Sequence, residues 1–131
     1  MKIKQEPFEG QISEELTNWI IGRKQLINLD ENDIKQVVDN HKGYTFICEQ
    51  EEEDYTTFMK KGFKELSSKE EIKKSKFILI NLETSGNLLN MEDMQLINDF
   101  MENIEDDFEL KWGITQIEED ARKRIILIVS Q

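Results

Sequence analysis

The segment Phe77-Ile78-Leu79-Ile80-Asn81-Leu82 is almost continuously apolar. A strand with one face in water alternates apolar and polar side chains. An unbroken run of β-formers therefore signals a strand covered on both faces, or one whose neighbours are parallel. The rest of the chain must supply enough sheet and helix to surround it. The 131 residues suffice for one core and not for two.

The flanking segments read as one mixed fold. Ser13 is placed to cap a helix carrying Leu16, Trp19 and Ile20, which Gly22 ends. Ile34, Val37 and Val38 mark a short second helix with Asp30 as its cap, and Asn40 to Gly43 is a turn. Tyr44 to Cys48 is rich in aromatic and β-branched residues and reads as a strand. Tyr55, Phe58, Met59, Phe63 and Leu66 share one face of a longer helix. Ser85-Gly86-Asn87 is a turn, after which Met94, Ile97, Met101 and Ile104 line a helix spanning Met91 to Ile104. Phe108 to Trp112 alternates as a strand does, and Ile125 to Val129 is the last strand. Glu118 to Lys123 reads as the hairpin connection between those two.

This order predicts an α+β two-layer sandwich. A four-stranded mixed sheet packs against two main helices, with an additional N-terminal helix. Each β-α-β step is expected to run parallel through a right-handed crossover, and the closing hairpin adds an antiparallel pair. Residues 1–11 are polar and contain Pro7 and Gly10, so they are read as a flexible lead-in to a domain at 12–131.

The formal net charge is −11. That disfavours nucleic acid and anionic membrane as partners and suits docking to a basic patch. A single cysteine, Cys48, allows no disulfide within the chain and fits a reducing compartment. No apolar leader and no stretch of membrane-spanning length is present, so the expectation is cytoplasmic. The six glycines are scattered singly, with no phosphate-binding glycine loop. Zinc-ligand spacing is missing, and His41 is the sole histidine. The chain alone is therefore expected to be no enzyme and to hold no metal or cofactor.

One run resembles a chemical device: Leu26-Ile27-Asn28-Leu29-Asp30-Glu31-Asn32-Asp33-Ile34-Lys35. It sets Asn28, Asp30 and Asp33 on a loop before a helix. The acids can position a water against a phosphate supplied by another molecule. They can equally cap the helix and neutralise its positive end. A calcium loop at Asn28, Asp30, Asn32 and Asp39 fails, because Asp33 stands where the sharp turn needs glycine and Asp39 is shorter than the bidentate glutamate. His41 reads as a surface turn histidine, and Cys48 as a small buried hydrophobe. Met91, Met94 and Met101 read as core or lid packing, and Glu49 to Asp54 as a solvated acidic stretch or a site for a basic partner.

Leu26 to Val37 also resembles the segment that joins the central helix to the C-terminal domain in the FtsZ/tubulin family. The FtsZ pattern there, Asn-x-Asp-x-x-Asp followed by an aliphatic residue, is met by Asn28, Asp30, Asp33 and Ile34. Gly43-Tyr44, Leu66-Ser67-Ser68, Ile78 to Asn81, Gly86, Trp112-Gly113 and Arg124 to Ile128 match further motifs in the same order, so the resemblance spans roughly 12–130. It implies a tubulin/FtsZ C-terminal-domain-like fold. It also implies that the loop acts in trans, with Asp30 and Asp33 activating the hydrolytic water and Asn28 touching a neighbour's nucleotide site. GTP would then reach this chain only through a partner, an FtsZ/tubulin-like GTPase or a missing N-terminal domain. Weak self-association is compatible with this.

The departures are an absent GTPase domain, Lys69 in place of a proline, the acidic Glu49 to Asp54 where the family is small and glycine-rich, and no room after Gln131 for a tail peptide. The resemblance thus implies a non-catalytic assembly or docking module of the division cytoskeleton. The alternatives are an orphan structural or interaction domain whose loop acids only cap, and a small independent hydrolase, which would need a pocket gathering those acids.

Overall fold

The computed structural model describes residues 2–86, 90–104 and 107–131. Its elements are β1 (Ile3–Glu9), α1 (Glu14–Ile21), β2 (Gln25–Ile27), α2 (Glu31–Val38), β3 (Lys42–Glu49), α3 (Tyr55–Ser67), α4 (Glu70–Lys73), β4 (Phe77–Thr84), α5 (Met91–Glu102), β5 (Glu109–Gln116) and β6 (Arg124–Ser130). Asn87 of the expected turn lies outside the described residues.

The sheet has six strands in the order β1-β3-β6-β4-β5-β2, which corrects the four-stranded expectation. Residues 3–9, read from sequence as a lead-in, pair antiparallel with β3 from Ile3↔Cys48 to Glu9↔Lys42. Their polarity is that of an edge strand, where one row of backbone groups faces water and charged side chains and a proline are tolerated. At the other edge β2 is only three residues long, too short to show a periodicity, and it pairs with Ile114 and Thr115 of β5.

The closing hairpin is also corrected. β6 does not lie beside β5 but between β3 and β4, antiparallel to both. Its Ile125 to Val129 are all buried to within 1% exposure. Such a strand needs cover on both faces, which a position in the middle of the sheet between two helical layers supplies, whereas the alternating, partly exposed β5 lies nearer the edge. β3 and β4 consequently run in the same direction without touching, while β4 and β5 pair in parallel across α5 as the crossover argument requires. The connection from β5 passes the end of β4, where Ile117 N donates to Thr84 O at 2.9 Å. Lys123 ties that connection together, its ammonium donating to the carbonyls of Glu118 and Ala121 at 3.2 and 2.7 Å.

Two layers become three. Along β4 and β6 successive side chains point to opposite faces. Ile78, Ile80, Leu82, Ile125, Leu127 and Val129 pack with Phe58, Phe63 and Leu66 of α3, Ile72 of α4, and Ile97 and Phe100 of α5. Leu79, Ile126 and Ile128 face the other way, against Leu16 and Ile20 of α1 and Ile34, Val37 and Val38 of α2. The second layer of helices is why β4 is apolar at nearly every position. Each such aliphatic side chain contributes about 1.5–3 kcal/mol on burial. Phe63 and Phe100, with ring centroids 5.1 Å apart and tilted, join α3 to α5.

Helix starts follow the local chemistry. The side chains of Ser13, Asp54 and Asn90 accept from the backbone N–H groups of Leu16, Thr57 and Asp93, satisfying donors that a helix leaves unpaired.

Candidate functional site

The loop between β2 and α2 is held from both sides. The Gln25 side-chain amide donates to Leu29 O at 2.9 Å, and Leu29 N donates back to Gln25 Oε1 at 2.6 Å. Leu29 is buried over Gly113 of β5. A Cβ at position 113 would lie 2.7 Å from Leu29 Cγ, so the close approach of loop to sheet requires glycine there.

Past Leu29 the chain enters α2 through a reciprocal capping box. Asp33 N donates to Asp30 Oδ1 and Asp30 N donates to Asp33 Oδ2, both at 2.9 Å. The box fixes both carboxylates at the positive end of the helix. Each acid keeps one oxygen outside it. Asp33 Oδ1 lies 3.7 Å from the Lys111 ammonium of β5. Asp30 Oδ2 takes part in no hydrogen bond among the described residues. Asn28 is exposed at the start of the loop.

Two fixed anionic groups beside a lysine can orient water or a cationic or hydrogen-bonding partner brought to the surface. They do not by themselves enclose a substrate. Two clefts of about 740 and 790 Å³ lie elsewhere, one around Gly43, Tyr44 and Ser75 and the other around Trp19, Thr45 and Glu49.

The calcium geometry fails for a visible reason. Asp39 sits at the C-terminal cap of α2, nine residues on from Asp30, or roughly 13 Å of rise. Among the described residues no three His, Cys, Asp or Glu side chains gather as a metal group. His41 rests on Phe77 with ring centroids 4.8 Å apart, and its Nδ1 lies 3.2 Å from Gln131 O. Cys48 is fully buried in β3, and burial pushes its thiol up to about 12. The acidic run is distributed among structural roles: Glu49 faces Arg122 and Arg124, Glu53 faces Lys61, and Asp54 caps α3. Hydrogen bonds from Thr57 hold the Asp54 carboxyl below its usual range.

A charged cluster on the α1 face was not foreseen from sequence. Glu83 of β4 has no exposed side-chain surface, and Arg124 of β6 and Arg23 reach it at 3.1 and 3.3 Å. The Arg124 guanidinium stacks over Trp19 of α1 at 4.0 Å from the ring centroid. Burial raises the Glu83 carboxyl above its ordinary range against the opposing pull of Arg124 and Arg23. Two residues earlier Asn81 donates to Thr115 Oγ1 at 3.1 Å. Asn81 and Glu83 are polar residues two positions apart in a strand that is otherwise apolar up to its last residue, Thr84, and that spacing places them on one face. That spacing was the available signal. At the N-termini of α3 and α5, Thr56 donates to the buried Asp93 at 3.3 Å, and burial raises the Asp93 carboxyl.

The fold and loop define a three-layer mixed-sheet domain carrying a capped pair of acids beside its β2 edge. No protein-family model matches the sequence, and no curated protein does. Among solved structures the chain is similar to an FtsZ dimer from M. jannaschii described as empty, with a TM-score of 0.61 and 21% identity over 88% of this chain and 34% of that one. It is also similar to a tryptophan-to-tyrosine mutant of M. jannaschii FtsZ, with a TM-score of 0.59 and 21% identity over 90% of this chain and 38% of that one. The likeness is one of fold, and the chain spans little more than a third of the FtsZ chains it matches. No helix among the described residues is long and apolar enough to cross a membrane.

Proposed function

We propose that this chain is a non-catalytic docking module of FtsZ-like type, which presents Asp30, Asp33 and Asn28 to the nucleotide pocket of a partner GTPase. The observation that carries this reading is the capping box itself. It holds two carboxylates at a helix start while leaving Asp30 Oδ2 unengaged and Asp33 Oδ1 reachable past Lys111. The partial coverage of FtsZ supports the same reading, since the matched third is one domain's worth of chain. In this reading the nucleotide belongs to the partner, and the acids orient the attacking water.

The same box also supports the alternative in which the acids only cap. Asparagine caps a helix about as well as aspartate, so Asp30→Asn separates charge from capping. The expected result is that the parent chain changes GTP turnover or polymer length of an FtsZ-type GTPase and that Asp30→Asn, with unchanged stability, loses that effect. An unaltered turnover, polymer length and binding in the presence of the parent chain would overturn the proposal.

A further inference from the structure

β5 is paired along its whole length on one side only. β4 matches every residue from Glu109 to Gln116, whereas β2 reaches just Ile114 and Thr115. Glu109 N donates toward β4, to Lys76 O at 2.8 Å. Alternate residues of a strand direct their N–H and C=O to opposite edges, so Lys111 also faces β4 while Leu110 and Trp112 face outward. Among the described residues no strand pairs with those outward groups.

The side chains of Leu110 and Trp112 are half-buried and line a cleft of about 170 Å³ with Met94, Ile97, Asn98 and Met101 of α5. One turn before Met94, on the same stripe of the helix, Met91 is 89% exposed. An open strand edge and an apolar groove thus meet at the same two residues. That combination receives an extended segment, with backbone bonds to the edge and alternate side chains in the groove.

Charge selects among extended segments. Glu102 and Asp107 are exposed beside Met101 and Leu110, and Glu109 is exposed on the other face of β5, which it shares with Lys111; none of the three acids forms an ion pair among the described residues. With a net charge of −11, a second copy of this chain would bring like charges together along the edge. We infer that the outer edge of β5 and the α5–β5 groove bind an extended protein segment of alternating apolar and basic residues, which adds as a strand beside Leu110 and Trp112. This proposal is independent of the role given to Asp30 and Asp33.

The probe is a synthetic peptide of alternating valine and lysine, compared with its valine–glutamate counterpart, and the readout is amide hydrogen exchange of the whole chain. The basic peptide is expected to slow exchange at Leu110 and Trp112 by about tenfold or more, and the acidic one to leave it unchanged. Leu110→Pro removes an outward N–H that β4 does not use, so it should abolish that protection while keeping the fold. Glu102→Lys, on the exposed face of α5, should weaken binding about tenfold, and added salt should weaken binding of the parent. Unchanged exchange with saturating basic peptide, equal protection by the acidic peptide, or undiminished binding by both variants overturns the inference. Protection of the same amides by concentration-dependent dimerisation of the free chain overturns it as well.

Discussion

Arg124 meets the carboxylate of Glu83 at 3.1 Å in a place where the glutamate has no contact with solvent. The pair links adjacent elements of the sheet face to α1, because the same guanidinium lies flat on Trp19. Removing the arginine would leave a buried charge with Arg23 as its remaining partner. Arg124→Ala is therefore expected to lower unfolding free energy by about 3 kcal/mol, near the lower end for a broken buried pair. Urea unfolding followed by circular dichroism checks this, and a loss below about 1 kcal/mol would show that Arg23 alone compensates.

The raised carboxyls of Glu83 and Asp93 give a pH dependence of definite sign. Both bind a proton more tightly when folded than when unfolded. Their contribution to stability is fully present below the ordinary carboxylate range and is lost as pH rises through the folded values. In Glu83→Gln this position no longer titrates. The difference in stability between variant and parent should move in the variant's favour as pH rises above 4.5, the ordinary value for glutamate. Urea midpoints measured across the acidic range provide the comparison, and a difference independent of pH would contradict it.

The capping box makes separable predictions for its two acids. Asp30→Ala deprives Asp33 N of its acceptor and should cost roughly 0.5–2 kcal/mol, while Asp30→Asn should cost little. Asp33→Ala frees the Asp30 N–H and also removes the partner of Lys111, a half-buried pair held at 3.7 Å. If both alanine variants unfold at the parent's denaturant midpoint, the box is not stabilising.

Gly113 couples the loop to the sheet. Any side chain there displaces Leu29, so Gly113→Val is expected to destabilise the chain by about 1–3 kcal/mol through overpacking. It should also shift the backbone amide resonances of Asp30, which follows Leu29 directly, and of Asp33, which is bonded to Asp30 in the capping box. A valine accommodated without change in those signals would mean that the loop is not seated on β5 as described.

Cys48 should be chemically silent in the native chain. With its thiol pushed up to about 12, chiefly by burial and secondarily by the Glu65 carboxylate, little thiolate exists near neutrality. A disulfide reagent should label it at the rate of unfolding, and at once in denaturant. Rapid native labelling would show that β3 opens locally.

Four of the five helices were legible because each carries its own evidence: an acceptor before the first turn, and an apolar stripe at helical spacing; the four-residue α4, with no side-chain cap before it, carries neither and was not read. Ser13, Asp30, Phe58, Phe63, Ile97 and Met101 read correctly for that reason. The apolar runs of β4 and β6 likewise identified themselves as strands. The continuous burial inferred for Phe77 to Leu82 is found from Ile78 onward, with Phe77 half-buried, and the same argument applied to Ile125 to Val129 points to β6 at the centre. β1 and β2 escaped notice because edge strands need only one bonded side and tolerate polar composition. The acidic loop was visible as a motif, but its anchoring by Gln25, Leu29, Gly113 and Lys111 depends on β5, distant in sequence.

By itself, then, the sequence determined local structure: where the capped helices begin, which apolar segments are strands, and which acids stand at the start of α2. These follow from short-range hydrogen bonding and periodicity, which a few neighbouring residues encode. Only the tertiary structure decided that β6 enters between β3 and β4, that helices cover both faces, and that Glu83 is buried against Arg23 and Arg124. Strand order and charge pairing are settled by which distant surfaces exclude water together. That choice depends on the whole chain at once.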